Sequence, residues 1–90
     1  MSITVIFKPQ GVTTEQYDEM VRRLEEAGQG SPSGREYHTC FGTPDSVGVV
    51  DVWTTLEQFQ AFGAVLMPII DDVGAPVAEP EIHDTHNVIA

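Results

Sequence analysis

Apolar residues recur along this chain with two different periods, and the switches between them mark its elements. Over Ser2–Lys8 the period is two. Ile3, Val5 and Phe7 form an apolar face, while Thr4, Ile6 and Lys8 form a mixed one. Pro9-Gln10-Gly11 ends this strand. The period then lengthens: Tyr17, Met20, Val21 and Leu24 fall at i, i+3, i+4 and i+7, one stripe of a helix. Thr13 or Thr14 starts it, Thr13 with Gln16 fits a capping box, and Gly28 sits where a left-handed cap closes the last turn. Gln29–Gly34 is a loop. Two further strand-like runs, Glu36–Phe41 and Val47–Trp53, flank the turn formers Gly42-Thr43-Pro44-Asp45-Ser46.

With Thr43–Ser46 as a four-residue loop, Gly42 opposes Val47 and His38 opposes Asp51. Glu36, His38, Cys40, Val49, Asp51 and Trp53 then share one face. Tyr37, Thr39, Phe41, Gly48, Val50 and Val52 share the other. Thr54 with Glu57, or Thr55 with Gln58, caps a second helix whose stripe is Leu56, Phe59, Phe62, Val65 or Leu66, and Ile69. Pro68 cannot donate to the carbonyl of Ala64, so a kink or restart is expected there. Glu81–Ile89 reads as a last strand.

The order β-α-β-β-α-β predicts an α+β, ferredoxin-like domain: a four-stranded antiparallel sheet in the order 4-1-3-2, with two helices on one face. Tyr37, Phe41, Val50, Val52 and Ile6 would then face water. At about 25 cal/mol per Å², exposing several such side chains forfeits several kcal/mol. A net stability of about 5–15 kcal/mol bears that poorly. A second copy set sheet against sheet removes the loss, so a homodimer through the sheet face is expected.

Composition narrows the function. The 90 residues make one domain, 1–90, and 41% hydrophobic content fits a folded one. The formal charge of −10 sets 14 acids against Lys8, Arg22, Arg23 and Arg35. No basic patch can be assembled from them, so nucleic acid and anionic membrane are not expected partners. Cys40 is the single cysteine, which leaves no internal disulfide and no cysteine zinc site. The opening MSITVIFKPQ lacks a basic leader and a long apolar run, and no stretch approaches the roughly 20 apolar residues of a membrane span. A cytoplasmic location is the resulting expectation. No Walker pattern or dinucleotide fingerprint is present, so no cofactor is expected.

His38 and Asp51 are the candidate chemistry. A carboxylate in reach of an imidazole fixes its tautomer and raises its basicity, which suits a general base. The bland alternative is a cross-strand pair that only satisfies two polar groups. Asp51 is the more telling half, because an acid is rare in the middle of a run as apolar as VGVVDVW. Tyr17, Trp53, Phe59 and Phe62 are candidate walls of a small-molecule pocket, and equally plain core. Cys40 shares the face of His38. Residues two apart on a strand lie roughly 7 Å apart, too far for direct proton transfer, so a small buried cysteine is the simpler account. His83 and His86 point to opposite faces of a strand and cannot chelate a metal together. His86, on the face of Ile82 and Val88, is the one expected to line the pocket.

The segments IFKPQGVTTEQYDE, VVDVW running into TTLEQFQAF, and the late HN pair resemble the small dimeric α+β barrel proteins. That superfamily includes antibiotic-biosynthesis-monooxygenase-like domains, a plant polyketide cyclase and haem-degrading monooxygenases. The resemblance implies dimerisation through the sheets and a small molecule bound between each sheet and its own helices. The haem-degrading members use an Asn on the first strand and a haem-ligating His on the second helix; neither is present here. The cyclase-like members use a His with a Tyr from the second-helix region, and Leu56–Ile70 contains no His or Tyr. An acid–base group must therefore come from His38, His83 or His86. The expectation is a cofactor-independent acid–base enzyme, monooxygenase- or cyclase-like, acting on a small apolar or aromatic compound. Its rival is a non-catalytic homodimeric binding or accessory protein.

Overall fold

A computed structural model describes residues 2–89. The elements run β1 (Ile3–Phe7), α1 (Thr14–Glu26), β2 (Arg35–Thr43), β3 (Ser46–Trp53), α2 (Leu56–Asp72) and β4 (Glu81–Asp84). All strand pairs are antiparallel in the order β2-β3-β1-β4, the ferredoxin-like arrangement expected from the element order. Ile3 and Val5 of β1 and Trp53 of β3 pack against Leu24 of α1 and Phe62 of α2, so both helices cover one sheet face. A second cluster of Val12, Met20, Val47, Ile70 and Ala75 fills the end near the hairpin turn.

The helix starts follow their caps. Thr13 Oγ1 accepts from Gln16 N at 3.1 Å, and Gln16 Oε1 accepts from Thr13 N at 3.0 Å, a reciprocal box. Gly28 follows the α1 C-cap with φ +76°, a conformation open to a residue without Cβ. Thr55, not Thr54, caps α2, accepting from Gln58 N at 3.2 Å. The helix runs unbroken through Pro68. Pro68 and Ala64 both lie on the exposed side, so the carbonyl that Pro68 leaves free is open to solvent.

Three details of the strands differ from expectation. Thr43 pairs with Ser46, so the hairpin loop shrinks to Pro44-Asp45, with the His38–Asp51 alignment unchanged. Gly42 sits at φ +117° with room for nothing more: an added Cβ would lie 2.4 Å from the Ser46 carbonyl oxygen. Next, β2 bulges between Arg35 and Tyr37, so Arg35 opposes Trp53 and Glu36 is the extra residue. Glu36 therefore leaves the helix face predicted for it, and its carboxylate accepts from Ser2 Oγ at 2.6 Å and Thr54 Oγ1 at 3.2 Å. Finally, β4 stops at Asp84 rather than Ile89. Its partner β1 begins at Ile3, opposite Asp84, so the ladder has no strand left to extend along.

Trp53 is fully buried, with Phe59 edge-on at 5.8 Å and Phe62 tilted at 5.2 Å. The other sheet face is less wet than expected. Val52 is buried between its neighbours, and Ile6 and Val50 are half-buried. The Phe41 ring folds over Gly48, whose added Cβ would stand 2.9 Å from it. Tyr37 and Phe41 remain exposed there.

Replacing Trp53 empties the centre of the core, whereas replacing Thr13 removes one cap. Urea denaturation should show Trp53→Ala losing about 3–5 kcal/mol, against about 1 kcal/mol for Thr13→Ala.

Candidate acid–base site

The hairpin register sets the first contact. His38 and Asp51 stand opposite each other on β2 and β3, on the face beneath the helices. Asp51 is 7% exposed, the one buried charged residue among the described residues. Its Oδ1 lies 2.5 Å from His38 Nδ1. An ionised carboxylate only accepts, so Nδ1 carries the proton and Nε2 is left as an acceptor when the ring is neutral.

Helix α1 supplies the partner for Nε2. Val47 N donates to Val12 O at 2.9 Å, and Thr14 N donates to Pro44 O at 2.9 Å. These two bonds clamp the start of α1 to the hairpin turn. One turn further on, Tyr17 meets His38 end to end, the two rings 5° from parallel with their centroids 6.1 Å apart. Tyr17 Oη is 2.6 Å from His38 Nε2. The phenol donates there and keeps its lone pairs, so one proton path runs Tyr17–His38–Asp51. Burial, first of all, pushes the Tyr17 phenol above its ordinary 10.0; the nearby Cys40 and Asp51 add to this, and Arg35 opposes it. At neutral pH Tyr17 is thus a donor, as the chain requires. Cys40 is half-buried beside this group, and burial raises its thiol, which keeps it protonated.

Tyr17, His38 and Asp51 line a cavity of about 160 Å³ between α1 and the sheet. Its other walls are apolar, among them Met20, Leu24, Val47 and Phe62; Arg35 is its one other charged residue besides Asp51 and His38. A second cavity of about 410 Å³ lies under α2 and the segment 77–80, lined by Phe59, Met67 and Val77. The two share Phe7, Val49, Asp51, Phe62, Leu66 and Ile70 as walls.

The structure thus brings together His38, Asp51, Tyr17 and Phe62, and sets Phe59 in the adjoining cavity. Trp53 lines neither cavity; it lies in the core behind Phe59 and Phe62. His86 lies past the end of β4, exposed, and also lines neither. Arg35 escaped sequence reasoning because strict alternation puts it on the opposite face, and only the bulge turns it inward. Among the described residues no group of three or more His, Cys, Asp or Glu is placed to hold a metal ion. No helix among them is long and apolar enough to cross a membrane.

No family model matches the chain, and no curated protein matches it. Solved structures do. The cofactor-independent oxygenase SnoaB from Streptomyces nogalater is 17% identical, with a TM-score of 0.62 over 98% of this chain and 94% of that one. A protein from Chloroflexus aurantiacus provisionally named an antibiotic biosynthesis monooxygenase is 18% identical, with a TM-score of 0.61 over 100% of this chain and 96% of its own. Another so named, from Bordetella bronchiseptica, is 18% identical at a TM-score of 0.58, covering 98% of each chain. These neighbours are of the kind that the opening, VVDVW and HN segments resemble. At such identities the likeness establishes a shared fold.

The raised phenol of Tyr17 has a consequence for stability. Its folded-state value lies above the unfolded one, so its contribution is full below pH 10.0 and is lost as pH rises through the folded value. Thermal melts from pH 8 upward should show wild type losing stability in that alkaline window. Tyr17→Phe, less stable at neutral pH by about 1 kcal/mol for the lost hydrogen bond, should lose less of its own stability there.

Proposed function

We propose that this protein is a cofactor-independent acid–base enzyme, monooxygenase- or cyclase-like, that takes a proton from a small, mostly apolar or aromatic compound. The observation that carries this reading is the unbroken chain of short contacts from Tyr17 Oη through the His38 ring to Asp51, on the wall of a cavity that is apolar but for these groups and Arg35. Buried polar groups aimed into an apolar hollow are the usual makings of a site.

Each residue has one task. Asp51 holds Nδ1–H, fixes the ring and stabilises the imidazolium that forms. His38 Nε2 is the final proton acceptor. Tyr17 Oη occupies Nε2 and Tyr17 lines the cavity, so its oxygen takes the substrate proton while its own passes to His38. The phenol stays neutral, and the charge separates into an imidazolium against Asp51 and an anion in the cavity. Phe62 and Phe59 form walls, with Trp53 behind them as their support.

An anion made this way has two outlets. Attack on a carbonyl of the same molecule closes a ring: the new C–C bond replaces the C=O π bond, and the alkoxide so formed takes the proton back from His38 through Tyr17. Alternatively, dioxygen takes up its electrons: a methylene group and O₂ give a carbonyl and water, one oxygen atom to each product. The SnoaB likeness in fold favours the second outlet. A homodimer belongs to the same proposal, because a second copy would cover Tyr37 and Phe41, the exposed aromatics of the outer sheet face.

The rival is a binding protein without turnover. It draws on the fact that both His38 nitrogens already have partners. Solvent deuterium exchange into an aromatic β-diketone and dioxygen uptake with dihydroxynaphthalenes separate the two. The enzyme reading expects exchange above the buffer rate, the dioxygen outlet expects uptake as well, and each activity present drops about 10²–10⁴-fold in His38→Gln. Bound probe with no exchange and no uptake leaves the rival standing, and rates untouched in His38→Gln remove His38 from the chemistry.

A further inference from the structure

Arg35 is a cation that the acid–base chain does not use. The β2 bulge sets it opposite Trp53, on the helix face of the sheet, where it lines the same cavity as Tyr17, His38 and Asp51. Its guanidinium carbon stands 5.9 Å from the centre of the Phe62 ring, and Nη2 donates to Gly30 O at 3.0 Å. Among the described residues no carboxylate lies within ion-pair distance of it, whereas Arg22 and Arg23 both pair with Glu19. With 14 acids against four cations in the chain, a cation left without a carboxylate inside an apolar hollow stands out. Guanidinium carries five N–H donors in a fixed fork, and this one has spent few of them.

We infer that Arg35 holds a ligand oxyanion, and that the ligand class is a compact apolar ring compound with one acidic hydroxyl, a phenol or enol, bound as its anion. This rests on the proposed proton transfer for its catalytic meaning, but binding alone tests it. The charge balance supports it. Arg35 and a neutral His38 beside Asp51 sum to zero before reaction. Once His38 takes a proton the site is one unit positive, and one anionic oxygen restores neutrality. The surroundings set the rest: only Arg35, Tyr17, His38 and Asp51 offer charge or strong polarity, so the remainder of the ligand meets aliphatic and aromatic walls. The Phe62 ring beside the guanidinium carbon and the bond from Nη2 to Gly30 O give the fork two fixed neighbours.

4-Nitrophenol is a suitable probe, since its phenolate is yellow and its phenol is not. Its pH titration is followed by absorbance with the full chain in excess. The bound probe should titrate about one unit or more below the free one, a tenfold or greater preference for phenolate. Arg35→Met should abolish the shift, and Arg35→Lys, which keeps the charge without the fork, should retain a smaller one. Lys8→Met removes a cation from the other sheet face, where Lys8 lies over Phe41, and should leave the shift intact. Where Arg35→Met fails to fold by far-UV circular dichroism, Arg35→Gln takes its place. No binding by wild type, an unmoved or raised pKa, or an equal loss in Lys8→Met overturns the inference. A normal shift without deuterium exchange overturns only the enzyme reading. Exchange with no Arg35-dependent shift overturns only the anion site.

Discussion

A carboxylate with 7% of its surface exposed constrains this molecule more than any other group. Asp51 lies in the second strand of the sheet with Val50 and Val52 as chain neighbours and Val5 beside it on β1. An unpaired charge there would cost several kcal/mol, a large part of what a domain of this size has in hand. His38 removes that cost through a contact of 2.5 Å, and the contact exists only in one hairpin register. A slip of one residue would send Asp51 to the outer face. The same bond that makes the carboxylate tolerable therefore holds the hairpin in register, and the register in turn fixes which residues look toward the helices.

The clamp between α1 and the hairpin turn extends this control to a third group. Val12 and Thr14 use backbone bonds, so the placement does not depend on any long side chain. With the helix start held to the hairpin at both Val12 and Thr14, Tyr17 is directed at the remaining nitrogen of His38. Three polar side chains from three elements are thus positioned by main-chain geometry. Such support is what a proton relay needs, because its contacts lose efficiency with small displacements.

Legibility in the sequence followed the range of the forces involved. The element order, the capping residue Thr13 and the His38–Asp51 alignment were readable, since local pattern and a count across one turn decide them. Tyr17 was readable as a wall residue but not as the partner of His38; that contact depends on how α1 docks, which no local pattern states. Arg35 was lost because alternation has no mark for a bulge, and Glu36 was placed inward for the same reason. Trp53 was expected to line a pocket, yet the largest side chain of an inward strand end is also the best core filler, and both Phe59 and Phe62 close over it. His86 was carried inward by extending β4 past the point where β1 ends.

The row of residues across the sheet at Asp51 gives the site its polarity. It runs from His38 on the edge strand through Asp51 and Val5 to Ile82 on the other edge. Charge and hydrogen-bonding capacity are gathered at the β2 side, under α1, where the smaller cavity lies. Toward β1 and α2 the walls turn mostly apolar, with Glu79 their one charged residue besides Asp51, and the larger cavity opens. Asp51 stands on the boundary, with Phe62 and Leu66 above it as walls common to both hollows. A molecule with one acidic end and an apolar body finds in this gradient a single favourable direction: its acidic end at Tyr17, His38 and Arg35, its body past Phe62. The reverse orientation would bury the charged end among Phe59, Met67 and Val77 and leave the guanidinium facing hydrocarbon, a desolvation cost on both sides of the contact.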